Sequence, residues 1–302
     1  MKKFIYRFTL TLTLLAVLGY CGVSYFLLSG ITSGSYKPLV EEPDTTKVSY
    51  KNISFKPRGS DFKLMGWFLS AQKPTQKTII CVHGIASNRV SNKYSLSLAY
   101  DLTNSGYNVL MFDQRNQGDS EGDFSSASYH EKYDVLGAFD YLTKVRKIPS
   151  DKIGIHGFSM GGATSILATS LDPQIKALVV DSPFADAREL IAQETSQATG
   201  APLWFSTLFI PMLKLLAKYF YSIQIDEMVP ASAVKKIKIP ILLFHGTADK
   251  RLHFSNSKRI HENAHKKSEL VLVPKASHSS SYGQDKKAYM KKLLNYYNSR
   301  IQ

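Results

Sequence analysis

From Val48 onward the chain alternates short apolar runs with segments of helical spacing, and this rhythm restricts its fold more than any other feature. Residues 48–55, 64–69, 78–83, 108–113, 152–157, 177–181, 241–245 and 269–273 have the length and apolar content of strands. Helical spacing occupies 94–105, 129–147, 159–170, 256–265 and 284–301. Strands that return after a helix run parallel, and continuously apolar strands must be covered on both faces because neither face suits water. The expectation is an α/β fold over 48–302: a mostly parallel eight-stranded sheet with helices on both faces. Functional groups in such sheets collect beyond the carboxyl ends of the strands. His83, Gly84, Asp113, Ser159, Asp181 and the loop after His245 fall there.

One interval breaks the rhythm. Residues 187–234 hold no convincing strand and are rich in large apolar side chains, which reads as a short helical cap inserted into the sheet domain. Such a segment is either ordinary helix packing or a lid whose apolar underside lines a substrate pocket. In the second case Trp204, Phe205, Phe209 and Met212 are the pocket side chains.

The N-terminus obeys different physics. Residues 8–28 form a run of 21 residues without a charge, preceded by Lys2, Lys3 and Arg7. That length spans a bilayer and exceeds the usual apolar region of a cleaved signal peptide. Residues 1–30 are therefore expected to be a signal anchor, one transmembrane helix, with 31–47 as a tether. The basic flank places the first residues in the cytoplasm and the domain outside it. Cleavage near Ser33, Gly34 and Ser35 is the alternative and would release a secreted domain. Tyr20 stands where a lipoprotein signal needs a small residue before Cys21, so lipidation is not expected. Cys81 lies within a predicted buried strand, so neither a disulfide to Cys21 nor thiol catalysis is expected. A hydrophobic content of 44% supports a filled core, and a net charge of +14 favours anionic surroundings such as phospholipid headgroups. The basic residues are scattered and no nucleic-acid motif is present, so nucleic acid is not expected as a partner.

The chemistry centres on Ile-Gly-Ile-His-Gly-Phe-Ser-Met-Gly-Gly, residues 153–162. An apolar strand ends at Gly157, and Ser159 follows in a G-x-S-x-G turn that lifts a hydroxyl out of the chain and leads into a helix. A serine needs a base, and the base an orienting acid. Of eight histidines, His278 alone sits in a loop after the last predicted strand and before the last helix. His83, His156 and His245 read as framework, and the others as surface. Asp249, in H-G-T-A-D, is preferred as the acid over Asp181 because Ser159, Asp249 and His278 follow the Ser, acid, His order of this motif class. The N–H groups of Met160 and Ile85 are the candidate oxyanion donors. Arg115, in the turn 113–122, is read as pairing with a nearby carboxylate. No ligand spacing for a metal and no cofactor motif is present.

With H-G-I-A-S-N (83–88), D-Q-R-N-Q-G-D-S-E-G (113–122), G-F-S-M-G-G, H-G-T-A-D and A-S-H-S in this order, the chain resembles the α/β-hydrolase superfamily from Val48 to its end. It looks closest to the membrane-anchored or secreted bacterial members with a short cap, described as serine-aminopeptidase-like or dienelactone-hydrolase-like. Gln114 and Asn116 depart from the pattern, since relatives more often carry an aromatic and a glycine beside the arginine. The resemblance implies a serine hydrolase acting on small or lipid-like carboxylic esters through an acyl-enzyme. The alternatives are a peptidase with the same triad and, more remotely, a non-catalytic membrane-surface binding protein.

Overall fold

The computed structural model describes residues 1–33 and 37–301. In chain order its principal elements are α1 (Lys2–Thr32), β1 (Tyr50–Phe55), β2 (Leu64–Leu69), β3 (Thr78–Val82), α2 (Ser95–Asn104), β4 (Asn108–Phe112) and α3 (Glu131–Asp140). Then come β5 (Ile153–Phe158), α4 (Met160–Leu171), β6 (Ala177–Asp181), α5 (Ala187–Thr199), α6 (Leu203–Thr207), α7 (Ile210–Tyr221) and α8 (Pro230–Ala233). The chain closes with β7 (Leu242–Gly246), α9 (Ser255–Asn263), β8 (Glu269–Val273), α10 (Ser281–Gln284) and α11 (Lys286–Asn298). Two compact units result, one of Gly34–Asp186 with Val229–Gln302, the other of Met1–Ser33 with Ala187–Met228.

The larger unit holds, among the described residues, an eight-stranded sheet in the order β1-β2-β4-β3-β5-β6-β7-β8. Only β2 opposes its neighbours, pairing antiparallel with β1 and β4, and the other pairs are parallel. The period of two along each strand divides the core. Ile80, Val82, Ile155 and Val180 pack with Val135, Phe139 and Ile166 from α3 and α4. Ile79, Val109, Val179 and Phe244 pack with Leu98, Leu102, Leu293 and Tyr297 from α2 and α11. Both faces are thus apolar and covered, as continuous apolar strands require.

Local chemistry explains where element ends depart from the sequence reading. The segment expected to be helical over 129–147 is α-helical only through α3, then widens into a π turn at Tyr141–Val145. The last helix starts at Lys286 rather than 284 because Asp285 caps it, accepting the Ala288 N–H at 3.0 Å. The expected tether begins later than residue 31, since α1 runs through Thr32. Its residues 34–36, and with them the possible cleavage site at Gly34 and Ser35, lie outside the described residues. Further along, the Asn88 amide donates to the carbonyls of Lys37 and Pro38 at 3.0 and 3.1 Å, and the Tyr100 hydroxyl accepts the Asp44 N–H at 2.8 Å. Residues 37–47 are therefore fastened to the sheet domain rather than hanging free.

The smaller unit is helical. The Ala187 N–H donates to the Met228 carbonyl at 2.9 Å and joins the two ends of the insertion. Helix α7 stops where Ser222 turns left-handed, at φ 54°, with the Ser222 N–H donating to the Lys218 carbonyl and the Ile223 N–H to the Ala217 carbonyl, each at 3.1 Å. This helix packs on the last third of α1. The Tyr20 hydroxyl donates to the Leu208 carbonyl at 2.7 Å, Tyr20 stacks on Phe209 at 5.5 Å, and Tyr25 meets Phe220 edge-on at 5.8 Å. Elsewhere α1 is bare, with Phe8, Leu10, Leu14 and Leu18 all more than half exposed. By length and composition both α1 and the stretch Leu203–Tyr221 are apolar enough to cross a membrane.

Candidate active site

Strand β5 delivers its last residue, Phe158, to the carboxyl edge of the sheet, and Ser159 follows at φ 53° and ψ −123°. A left-handed serine costs about 1–3 kcal/mol and persists only where its surroundings leave no choice. Here they leave none. A side chain on Gly161 would run into the carbonyls of Val82 and His83, and one on Gly157 into that of Gly161, so β3, β5 and α4 meet at van der Waals distance. The Ser159 N–H is tied to the Asp181 carbonyl at 2.8 Å, which fixes the turn from the other side.

The Ser159 hydroxyl lies 2.7 Å from His278 Nε2, and His278 Nδ1 lies 2.7 Å from Asp249 Oδ2. With Nδ1–H donating to the carboxylate, Nε2 is left to accept the serine proton. Asp249 is buried, and its Oδ1 accepts the N–H groups of Arg251 and Leu252 at 3.0 and 2.9 Å. Burial pushes this carboxyl up, but hydrogen bonds from His245 and His278 and the Leu252 N–H outweigh it and hold Asp249 well below the usual carboxylate range. It is an anion whenever the enzyme is folded at ordinary pH.

Asp181, the rival acid, stands in a different environment. It is fully buried, and its Oδ1 accepts only the hydroxyls of Ser182 and Ser281, at 2.9 and 3.0 Å. Burial pushes its carboxyl above the ordinary range in spite of those bonds. Sequence reasoning filed His245 under framework, yet it reaches the same site. Its Nε2 lies 3.3 Å from Asp249 Oδ2 and 2.8 Å from the Leu252 carbonyl, while Nδ1 accepts the Ser257 hydroxyl at 2.7 Å. The spacing of four between His245 and Asp249 was the available signal.

The loop after β3 lies against the serine, because a Cβ on Gly84 would stand 3.3 Å from that of Ser159. Ile85 follows in this loop and lines the cavity at Ser159. Met160 opens α4, where a first-turn N–H has no carbonyl one turn back to bond. His83 is framework of a definite kind. Its Nε2 accepts the Gln114 N–H at 3.0 Å, its Nδ1–H donates to the Gly84 carbonyl at 2.8 Å, and burial holds it below the usual imidazole range. Gln114 also returns a bond from its side chain to the His83 carbonyl at 2.8 Å, so the departure from an aromatic becomes a tie between two loops. Asn116 takes φ 56°, the left-handed turn for which a glycine would otherwise serve. Arg115 forks onto buried Asp134 through Nε and Nη2, at 2.9 and 2.5 Å.

The cavity at Ser159 has a volume of about 290 Å³, and its lining includes Ile85, Asn92, Lys93, Arg251 and His278. Trp204, Phe205, Phe209 and Met212 are not in that lining and belong to the smaller unit, where Trp204 is 66% and Phe205 42% exposed. Cys21 and Cys81 are free thiols, and burial pushes that of Cys81 up to about 12, which leaves it inert. No cluster of three or more metal-ligating side chains occurs among the described residues. The arrangement is serine-hydrolase machinery.

Comparison with known proteins agrees. The model of the prolyl oligopeptidase family matches residues 92–302, where the motifs resembled serine-aminopeptidase-like and dienelactone-hydrolase-like members. YqkD of Bacillus subtilis is 28% identical over 237 residues, covering 78% of this chain and 75% of that protein. The lysophosphatidylserine lipase ABHD12 of Xenopus tropicalis is 25% identical and covers 67% of this chain and 50% of that one. Among solved structures, the Pyrococcus furiosus esterase Pf2001 superposes with a TM-score of 0.72 at 22% identity, covering 89% of this chain and 100% of that one.

Proposed function

The chain belongs to the prolyl oligopeptidase family, and on that premise we propose a membrane-anchored serine hydrolase that cleaves carboxylic esters with Ser159, His278 and Asp249 as its triad. The carrying observation is the unbroken line from Ser159 Oγ through the imidazole to Asp249, with 2.7 Å at each step. His278 takes the Ser159 proton as Oγ attacks the carbonyl carbon, and the N–H groups of Met160 and Ile85 receive the negative oxygen. The alkoxide leaves with the proton from His278. Water then attacks the acyl-enzyme, His278 acting again as base, and Asp249 holds the ring in its tautomer and stabilises the imidazolium throughout. Residues 8–28 hold the enzyme in the cytoplasmic membrane with its catalytic domain outside.

The family includes peptidases, so amide cleavage is the second reading. An aminopeptidase must hold a positively charged amino terminus. Among the described residues, those that line the Ser159 cavity include no Asp or Glu to hold such a group and do include Lys93. This charge pattern suits neutral or anionic esters, and the names of the P. furiosus esterase and the X. tropicalis lipase point the same way.

Labelling with a fluorophosphonate probe tests the assignment. The wild type should label, and Ser159→Ala and His278→Ala should not; equal labelling of all three refutes it. Turnover of p-nitrophenyl esters and aminoacyl anilides by the same preparation then separates the readings, the peptidase gaining if anilides are cleaved at comparable rates.

A further inference from the structure

We propose that the inserted segment Leu203–Tyr221 is itself immersed in the outer half of the bilayer beside α1, so that the protein meets lipid through two helical elements rather than one. The proposal rests on the reading of α1 as a transmembrane anchor and extends it to a part of the chain more than 170 residues away.

The argument is one of depth. The uncharged stretch of α1 begins at Phe8. At 1.5 Å per residue, Tyr20 lies about 18 Å and Tyr25 about 26 Å from that edge, inside a hydrocarbon core about 30 Å thick. Tyr20 stacks on Phe209 at 5.5 Å and donates its hydroxyl to the Leu208 carbonyl, and Tyr25 touches Phe220 at 5.8 Å. Whatever touches these tyrosines shares their depth. If α1 spans the membrane, Leu208, Phe209 and Phe220 stand in its outer leaflet.

The segment has the surface that this position demands. Trp204 meets Phe205 at 5.8 Å, Phe205 meets Phe209 at 5.4 Å, and Phe209 meets Tyr20, a chain of aromatic rings leading to the anchor. Along α7, Leu215 and Tyr219 stand one turn apart on an exposed face, at 60% and 80% exposure, and Leu208, in the turn before the helix, is 53% exposed. A soluble monomer seldom leaves so many large apolar side chains bare on one element. Charge follows depth as well. Residues 203–213, at the deeper end near Tyr20, carry none, while Lys214 and Lys218 lie towards the end near Tyr25, where α1 leaves the hydrocarbon. Lys214 pairs with Asp226, Lys218 extends to the headgroups, and Tyr219 suits the same boundary.

The two tryptophans supply the test, because Trp67 is 2% exposed and Trp204 is 66% exposed. The full-length protein is reconstituted in vesicles of phosphatidylcholine and phosphatidylglycerol whose acyl chains carry bromine at an upper or a terminal carbon. Subtracting the emission of Trp204→Phe from that of the wild type isolates Trp204. Its emission should fall about two-fold or more with bromine at the chain end, less with bromine on the upper carbons, and resist aqueous iodide. Leu14→Trp in the Trp204→Phe background, less the emission of Trp204→Phe itself, reports α1 alone. If that probe is quenched by lipid while Trp204 is quenched only by iodide, the anchor stands and the immersed segment is refuted. If Trp204 escapes both quenchers, protein covers it, a second copy or another membrane protein, and the proposal is equally refuted. If neither Trp204 nor the α1 probe responds to bromine, the anchor reading fails and takes the inference with it.

Discussion

The carboxyl edge of β5, β6 and β7 and the helices of the insertion solve opposite problems. At the sheet edge the chain gives up stability for arrangement: Ser159 is held left-handed, and the acid side chains of Asp181 and Asp249 are buried. Each strained group is held by several partners, so its geometry has no alternative. In the insertion the backbone is ordinary α-helix, while the side chains break the usual rule by facing outward as Trp204, Leu208, Leu215 and Tyr219. One region is costly inside and unremarkable outside; the other is the reverse. Strain points to chemistry, and bare apolar surface points to a different solvent.

If that contrast is right, the largest effect of any substitution lies at the sheet edge. Ser159→Ala should lower kcat on a soluble ester by about 10⁴-fold or more, read by initial rates at saturating substrate. The two buried acids should then part company. Asp249→Asn should lose about 10⁴-fold, because the carboxylate that fixes the His278 tautomer is gone. Asp181→Asn, which keeps an acceptor for Ser182 and Ser281, should lose less than about ten-fold, as befits a group that only supports the turn. A reversal of these two values would hand the orienting role to Asp181.

Smaller effects sharpen the picture. His245→Leu removes a donor that helps hold Asp249 low, so kcat should fall by about ten-fold or less at neutral pH, read by initial rates. An unchanged kcat would make His245 merely structural. For Asp181 the folded carboxyl sits above its unfolded value of about 4, since burial favours the neutral form. Between those two values the native state holds a proton that the unfolded chain has lost, so stability declines as pH rises through that window. Asp181→Asn should flatten this decline in Tm measured against pH. In the insertion, Leu215→Glu should leave soluble-ester turnover nearly unchanged, because the side chain is exposed and is not in the lining of the Ser159 cavity. A large loss there would mean that this face is packed against the rest of the protein.

The same contrast explains what was legible in the sequence. Strands β2 and β6 begin and end where the apolar runs do, because both faces of these strands are largely buried and burial writes itself as a run. Ser159, Asp249 and His278 could be named together because a strand–turn–helix elbow needs glycine at fixed offsets and the remaining groups fall at strand ends. His245 was placed with the framework because the spacing of four in H-G-T-A-D, which sets it beside Asp249, suits a framework imidazole as well as one that bonds a carboxylate. Asn116 looked like a defect in a pattern, whereas only its φ of 56° reveals that it does the work of a glycine. The pairing of α1 with α7 was beyond reach for a plainer reason. Tyr20 and Leu208 are separated by 188 residues, and an apolar helix carries no mark of which other apolar helix it will meet.

The hydrogen bond from Ala187 to Met228 has an evolutionary side. It brings the entrance and exit of a 42-residue excursion together at 2.9 Å, and just outside it the Ala231 N–H reaches the Ala185 carbonyl at 3.1 Å. A loop that closes on a neck of this kind can be lengthened, shortened or exchanged with little change in closure entropy and none in the strands that carry the chemistry. The neck is thus a graft point. Lineages that keep the elbow and vary what hangs from Ala187 and Met228 can move one hydrolytic engine between water, membrane surface and bilayer without rebuilding it.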